Sequence, residues 1–460
     1  MPCTRSNTDQ PDFANMRVTV MGLGRFGGGL GVTQWLAARG AQVLVTDLEP
    51  ETALAESIDH LRDLLDAGSV TLCLGEHREE DFTECELLIA NPAVPRPWEN
   101  PYLRAAREAG VEITTEIGLV VERLPNRERV IGVTGSAGKS TTAAMIAHVL
   151  RTCAQPVHLG GNIGGSLLDA LDTITPNDWV VLELSSAMLH WLTGWSPGVA
   201  VVTNCTANHL DWHGSIEHYE GCKKGLLAHQ QPGDAAVLGP TLGEWESATG
   251  VERIVLPEGA GVAGLSVPGA HNALNAAMAC AVVEVVQEHG KRDAHPTHPT
   301  GAEVTEAVRT FGGLPHRLCL LGAHGGVRYY DDSKSTTPEA TLLALRSLAD
   351  RGELGRVHLI AGGHDKGSDL SPIAAQAAHL AGLYCIGSTG TKLAQTAGEY
   401  GADCTTLDRA MDQIRSRAHQ GDIVLLSPGC ASWDQFENFE QRGRIFAALA
   451  GFGGGLCDEP

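Results

Sequence analysis

The chain has 460 residues, 43% of them hydrophobic and 19% charged, and a formal charge of −22 from 33 basic and 55 acidic side chains. That length predicts two to three domains with sizeable cores, and the acidic balance argues against general affinity for nucleic acid or for an anionic membrane. Residues 1–15 are polar, no apolar run approaches the 18 residues of a membrane span, and the 12 cysteines hold no C-x-x-C pair, which together predict a reduced, cytoplasmic protein.

Strand-like and helix-like runs alternate along the whole chain, predicting α/β layers around parallel sheets. The first block opens on a strand over residues 17–21 and closes near residue 115. Its turn Gly22-Leu23-Gly24-Arg25-Phe-Gly27 has the dinucleotide fingerprint, and Asp47 ends the next strand, over residues 43–46. A helix start reads phosphate and not nicotinamide. The motif alone therefore leaves three readings open: an NAD site, a site for another nucleotide, or a structural glycine turn.

The second block, residues 116–313, holds the most informative feature. A β-branched run over 130–134 leads into Gly135-Ser136-Ala-Gly138-Lys139-Ser140, and a helix is expected from Thr141 to about residue 150. Backbone N–H groups at such a turn face an anion, Lys139 would reach terminal phosphates, and the Ser140 hydroxyl would sit on Mg²⁺. The strict pattern G-x-x-x-x-G-K-[ST] fails at Val133. An ordinary glycine turn is the alternative, and the Lys-Ser-Thr at the helix start argues against it.

A buried-type strand over 178–183 ends in Glu183, placed to hold Mg²⁺. The strand over 199–203 leads to Asn208-His209-Leu-Asp211, where His209 is the second candidate metal ligand. His213 reads as structural or loop-supporting. Asn162, in the turn Gly160-Gly-Asn-Ile-Gly164, offers an uncharged polar contact. Lys223 and Lys224 follow Tyr219 on a helix, and Lys224 reads as part of a solvated face. Residues 288–301, rich in His, Pro and Thr, read as a surface loop.

The third block, residues 314–460, has apolar strands over 357–361, 383–386 and 422–426. Three polar clusters follow strands: Tyr330-Asp-Asp332-Ser-Lys334-Ser-Thr336, Gly362-Gly-His-Asp365-Lys366 and Leu426-Ser-Pro-Gly-Cys-Ala-Ser432. Strand ends of this kind share one sheet edge, the usual ligand edge. Lys334, Lys366 and Arg317 could clamp carboxylates or phosphate there, and the clusters point to a cleft facing the phosphate loop. The tail after Phe452 is expected to fray.

Gly161-Asn-Ile-Gly164, Leu182-Glu-Leu-Ser-Ser186, His209-Leu-Asp211, Asp332-Ser-Lys-Ser-Thr336 and the run from Ser427 to Gly443 together resemble the Mur ligases of peptidoglycan synthesis. The similarity extends from residue 16 to about 450. The last run is most similar to the branch that adds glutamate to UDP-N-acetylmuramoyl-L-alanine, and the Asp-Asn-Pro-Arg motif of the branch adding a diamino acid is absent.

The resemblance implies three domains and an ATP-dependent amide ligase working through an acyl phosphate. By it, residues 1–115 bind UDP through Gly22, Leu23, Gly24, Arg25, Asp47 and Asn91, with Asn162 beside them. Residues 116–313 bind ATP through Gly135, Ser136, Gly138, Lys139, Ser140, Thr141 and Asn272, aided by Arg317 and Asp332. Two Mg²⁺ are implied, one at Ser140 and Glu183, the other at His209 and a carbamylated lysine. That lysine is Lys223 by its spacing from Tyr219, with Lys224 the runner-up. Residues 314–460 bind glutamate through Thr336, Lys366, Ser432 and Phe439, and the catalytic set is Lys139, His209, Lys223 and Lys334. A monomer with small-molecule substrates is expected.

The sequence departs from that family's pattern in three places. Ala137 stands where Asn is usual, Ala187-Met188 where Phe-Gln is usual, and Asn91-Pro92-Ala93 where Ser-Pro-Gly is common. Competing readings are a related ligase using L-glutamate or another amino acid, a folylpolyglutamate synthase, an NAD-dependent oxidoreductase, and a non-catalytic nucleotide-binding regulator.

Overall fold

The computed structural model describes residues 13–24, 28–292, 300–365 and 367–453. They form two compact units. One is built on the chain up to Ala143, on Ala154–Glu258 and on the described part of Glu284–Asp293, the other on Ala144–Cys153, Gly259–Val283 and the described chain from residue 300. Among the described residues no helix is long and apolar enough to cross a membrane.

The first unit holds two parallel sheets. One joins β1 (Arg17–Met21), β2 (Gln42–Asp47), β3 (Val70–Leu74), β4 (Leu87–Ile89) and β5 (Glu112–Thr114) in the order β3-β2-β1-β4-β5. The order reverses between β1 and β4, and the carboxyl ends at such a reversal open a crevice for ligands. The other joins β6 (Val130–Thr134), β7 (Val157–Gly161), β8 (Trp179–Glu183), β9 (Val199–Val202), β10 (Ala235–Leu238) and β11 (Glu252–Val255) in the order β11-β10-β9-β6-β8-β7. Every residue of β6, β8 and β9 is buried, as unbroken apolar runs in a sheet covered on both faces require. Because β6 lies between β8 and β9, the loop leaving β6 has the ends of both strands as its walls.

The second unit holds β12 (Cys319–His324), β13 (Val327–Asp331), β14 (Val357–Gly362), β15 (Gly382–Ile386), β16 (Gly401–Thr405) and β17 (Ile423–Leu426), in the order β12-β13-β17-β14-β15-β16. Among these strands only β12 and β13 run antiparallel. Asp331 and Ile360 both pair with Leu426, so the ends of β13, β17 and β14 stand side by side. That is the shared edge expected for the three polar clusters.

Two expectations need correction. The Lys139–Thr152 helix starts two residues before Thr141. Residues 288–292 are not loop: they finish the Ala270–Arg292 helix. Glu288, Lys291 and Arg292 are good helix formers that carry the helix through Gly290, and the next proline is Pro296. Thr300 then caps the Gly301–Arg309 helix through a reciprocal bond with Glu303. Residues 293–299 and the tail from 454 lie outside the described residues.

Candidate active site

The turn after β6 is shaped by two glycines. Gly135 has φ +151°, and a Cβ there would stand 1.9 Å from Thr203 Oγ1; Gly138 has φ +83°. Only glycine accepts both the conformation and the approach. The end of β9 braces the turn. Asn204 Oδ1 accepts from the Ser136 and Ala137 N–H groups at 3.1 and 3.0 Å, and Asn204 Nδ2 and Thr203 Oγ1 both donate to Ala137 O. Lys139 folds back on its own loop, donating to the Gly135 and Ser136 carbonyls at 3.0 and 3.3 Å. Ser140 and Thr141 sit in the first turn of the Lys139–Thr152 helix.

Glu183, at the end of β8, is 1% exposed. Its Oε1 accepts from Asn162 Nδ2 at 3.0 Å, whereas Oε2 is buried with no partner. An orphaned carboxylate oxygen beside a phosphate loop is costly and fits a bound cation.

Lys223 is buried on the Ile216–Ala228 helix. It donates to Gly135 O at 2.8 Å and to Thr134 Oγ1 at 3.4 Å, over the ring of Tyr219. Burial first, and the charge of Lys139 second, push its ammonium down to about 7. Tyr219 in turn shares a 2.8 Å hydrogen bond with Ser136 Oγ. Lys224 points outward and pairs with Glu220, as its solvated-face reading required. His209 is exposed, with φ 51°, at the N-cap position of the Leu210–His213 helix, where its side chain makes no cap bond. His213 is buried and bonded to Ser186 Oγ and His218, which is the structural role read for it.

Around the carboxyl ends of β1 and β4 lies a cavity of about 290 Å³. Gly22, Asn91 and Asn162 line it, together with Glu116, Ser185 and Trp212. Ala93, Ala187 and Met188, three of the departures from the family pattern, line it too. Leu23, Gly24 and Asp47 do not. Asp47 is instead the brace of the glycine turn: Oδ2 accepts from the Leu23 and Gly24 N–H groups, Oδ1 from Glu49. Arg25 lies outside the described residues. Gly29 was missed by the sequence reading. Its Cβ would stand 2.0 Å from Gly22 O, so it allows the Gly28–Ala38 helix to press on the turn.

In the second unit, Asp332 is buried and accepts from Ser427 Oγ at 2.7 Å and Leu318 N at 3.0 Å. Burial pushes its carboxyl up to about 7. Lys334 and Arg317 are exposed, and Lys334 Nζ stands 5.1 Å over the Phe439 ring. Thr336 is half-buried and Ser432 fully buried. Lys366 lies outside the described residues. Asn272, near the start of the Ala270–Arg292 helix, donates to Pro268 O at 2.7 Å.

The residue that organises this face is Arg442, which carried no assigned role in the sequence. It is fully buried and donates to Ser333 Oγ and Ser333 O, after β13, and to Cys430 O, after β17. Ser333 Oγ itself donates to Phe439 O at 2.7 Å.

Comparison with known proteins gives three family matches: "Mur ligase MurD-like, N-terminal domain" over residues 16–115, "Mur ligase middle domain" over 133–241 and "Mur ligase, glutamate ligase domain" over 316–430. The UDP-N-acetylmuramoylalanine–D-glutamate ligase of Roseiflexus sp. is 34% identical over 490 residues, spanning 95% of this chain and 98% of that one. The ligase of the same name from Symbiobacterium thermophilum is 35% identical, spanning 94% and 97%. Among solved structures, UDP-N-acetylmuramate–alanine ligase from Thermotoga maritima is similar in fold, with TM-score 0.54 at 20% identity over 95% of this chain and 99% of that one.

Proposed function

The chain belongs to the Mur ligase family, and we infer from this that it joins D-glutamate to UDP-N-acetylmuramoyl-L-alanine in peptidoglycan precursor synthesis, converting ATP to ADP and phosphate. The observation that carries the chemistry is the glycine loop at the centre of the second sheet, with Lys139 on it and the unpaired Glu183 oxygen in the same sheet.

The acceptor carboxylate is a poor electrophile. Transfer of the ATP γ-phosphoryl group makes it an acyl phosphate. The glutamate amine then attacks the carbonyl carbon, and the tetrahedral intermediate expels phosphate as the amine loses a proton. Little of this is covalent work for the protein, which positions the reactants and neutralises charge. Lys139 would exchange its loop carbonyls for the phosphates. Asn204 would release the Ser136 and Ala137 N–H groups to the same anion.

Magnesium, when bound, neutralises the transferring phosphoryl group. Ser140 and Glu183 would hold one ion, and the orphaned Oε2 supports that fit. His209 and Lys223, the latter as its carbamate, would hold a second. A buried amine with its pKa near 7 supports carbamate formation, because only a neutral amine adds CO₂.

We assign UDP to residues 1–115, ATP to 116–313 and glutamate to 314–460, the last through Thr336, Lys366, Ser432 and Phe439, with Lys334 acting beside them. Gly22, Asn91 and Asn162 share one cavity, and relatives named for a UDP-linked acceptor support a uridine nucleotide there over NAD. The protein is read as a cytoplasmic monomer without nucleic-acid partners, in keeping with its charge of −22.

The test is phosphate release from ATP with Mg²⁺, bicarbonate and UDP-N-acetylmuramoyl-L-alanine, with D- and L-glutamate added separately. Release with D-glutamate alone is expected. Release only with L-glutamate would move the enzyme to another stereochemical branch, and none with either would overturn the reading.

A further inference from the structure

Among residues given no part in ligation, His190, His218 and Cys222 each offer one ligand atom, and the three atoms lie within 4.8 Å of one another. His218 and Cys222 are four residues apart on the Ile216–Ala228 helix and so share a face. His190 comes from the Ser186–Trp191 helix. Cys222 Sγ stands 3.8 Å from His218 Nε2. Ligand atoms around a tetrahedral zinc are separated by roughly 3.3 to 3.6 Å, given Zn–N and Zn–S bonds of about 2.0 and 2.3 Å. Closing the cluster onto an ion therefore needs the longer separations to shorten by about 1 Å.

The surroundings suit an ion. His218 Nδ1 is 2.9 Å from His213 Nδ1, and His213 Nε2 is 2.9 Å from Ser186 Oγ. When His218 donates from Nδ1 and His213 from Nε2, His218 Nε2 is left bare toward Cys222. A ligating histidine held from behind through its other ring nitrogen is the usual support of a metal site. Trp98 walls the cluster, 4.5 Å from the His218 ring and 5.6 Å from His190, and Trp212 stands 5.6 Å from His190. Such a shell limits water and strengthens each ligand bond. A thiophilic cation bound at Cys222 would displace the thiol proton to solvent.

We propose that His190, His218 and Cys222 form a binding site for a thiophilic divalent cation, zinc fitting best, with a fourth position open to water. Two imidazoles and a thiolate select zinc over magnesium. Its three ligands are none of Glu183, His209 or Lys223, although Cys222 precedes Lys223 on the same helix, and its existence does not depend on the ligase reading.

The test uses the full chain, stripped with a chelator and titrated with Co²⁺, then with Zn²⁺ against a chromophoric chelator. The expected result is one Co²⁺ giving a sulfur-to-cobalt charge-transfer band, displaced by Zn²⁺. Cys222→Ser should abolish the band, while Cys205→Ser, a neighbouring free thiol, should keep it. His218→Ala should weaken uptake by about 100-fold or more, beyond the loss typical of an outer-shell residue. Should His218→Ala fail to fold, the near-isosteric Cys222→Ser decides alone. No band in the parent protein, or a band that survives Cys222→Ser, would overturn the site.

Discussion

Lys139 and Lys223 donate to the same acceptor, the carbonyl oxygen of Gly135, at 3.0 and 2.8 Å. Burial first, and the charge of Lys139 beside it second, bring the pKa of Lys223 down to about 7. The Lys223 side chain is thereby available as a free amine near neutral pH.

If Lys223 carries the proposed carbamate, Lys223→Ala should lose at least about a hundredfold in turnover, and millimolar short-chain carboxylates should restore part of it by standing in for that group. Lys224→Ala should change little, since its exposed pair with Glu220 contributes only about 0–1 kcal/mol. Phosphate-release assays with and without formate or acetate decide it. Equal losses at the two lysines would move the carbamate away from Lys223.

Glu183→Gln exchanges an unpaired buried carboxylate oxygen for a neutral amide. The free protein should become more heat-stable while Mg²⁺-dependent ATP affinity falls at least about tenfold. Calorimetric titration and a thermal melt check the two halves. Unchanged affinity would remove Glu183 from the metal site.

Asp332 sets a pH dependence. Its folded carboxyl titrates near 7 against an ordinary 3.8, so its stabilising contribution is complete below about pH 3.8 and is lost as pH rises through 7. Asp331 adds to the upward shift and Arg317 opposes it. Asp332→Asn should flatten the fall in stability between pH 5 and 8. A parent protein and variant whose urea midpoints move in parallel over that range would contradict this assignment.

Arg442→Leu leaves the Ser333 and Cys430 carbonyls without donors. The loss should be roughly 3 kcal/mol or more, with weaker glutamate binding and unchanged ATP affinity. Urea unfolding and substrate titration separate the effects. A stable variant with normal glutamate affinity would show that the fork does not hold this face.

What the sequence disclosed was mostly local. β6, β8 and β14 were legible as largely apolar runs, and Glu183 and Asp332 as carboxylates at or just past strand ends. Asn204 closes β9 in the same way, but its neighbours carry no charge to draw notice. Gly29 lay two residues past the fingerprint, so only the close approach of a helix to a turn reveals why it must be small. The helix end at Arg292 was misplaced because composition shifts before the first proline. His190, His218 and Cys222 are spread over 33 positions in two helices (190 to 222 inclusive). No spacing rule joins them, and only the fold brings them together. Arg442 was hidden for a similar reason: arginine on a late helix reads as surface until its burial is seen.

The order of the third sheet also dictates when it can form. β17, its central strand, and Arg442, which fixes the turns beside it, come from the last 40 residues of the chain. During synthesis the first unit's two sheets have all their strands some 170 residues before β17 exists (255 to 423), a delay of about 10–30 s at 5–20 residues per second. β13 and β14 must wait through part of that interval with no strand between them. A nascent chain interrupted before residue 423 would hold every strand of the first two sheets and no third sheet able to close, so premature termination would yield a chain incapable of ligation.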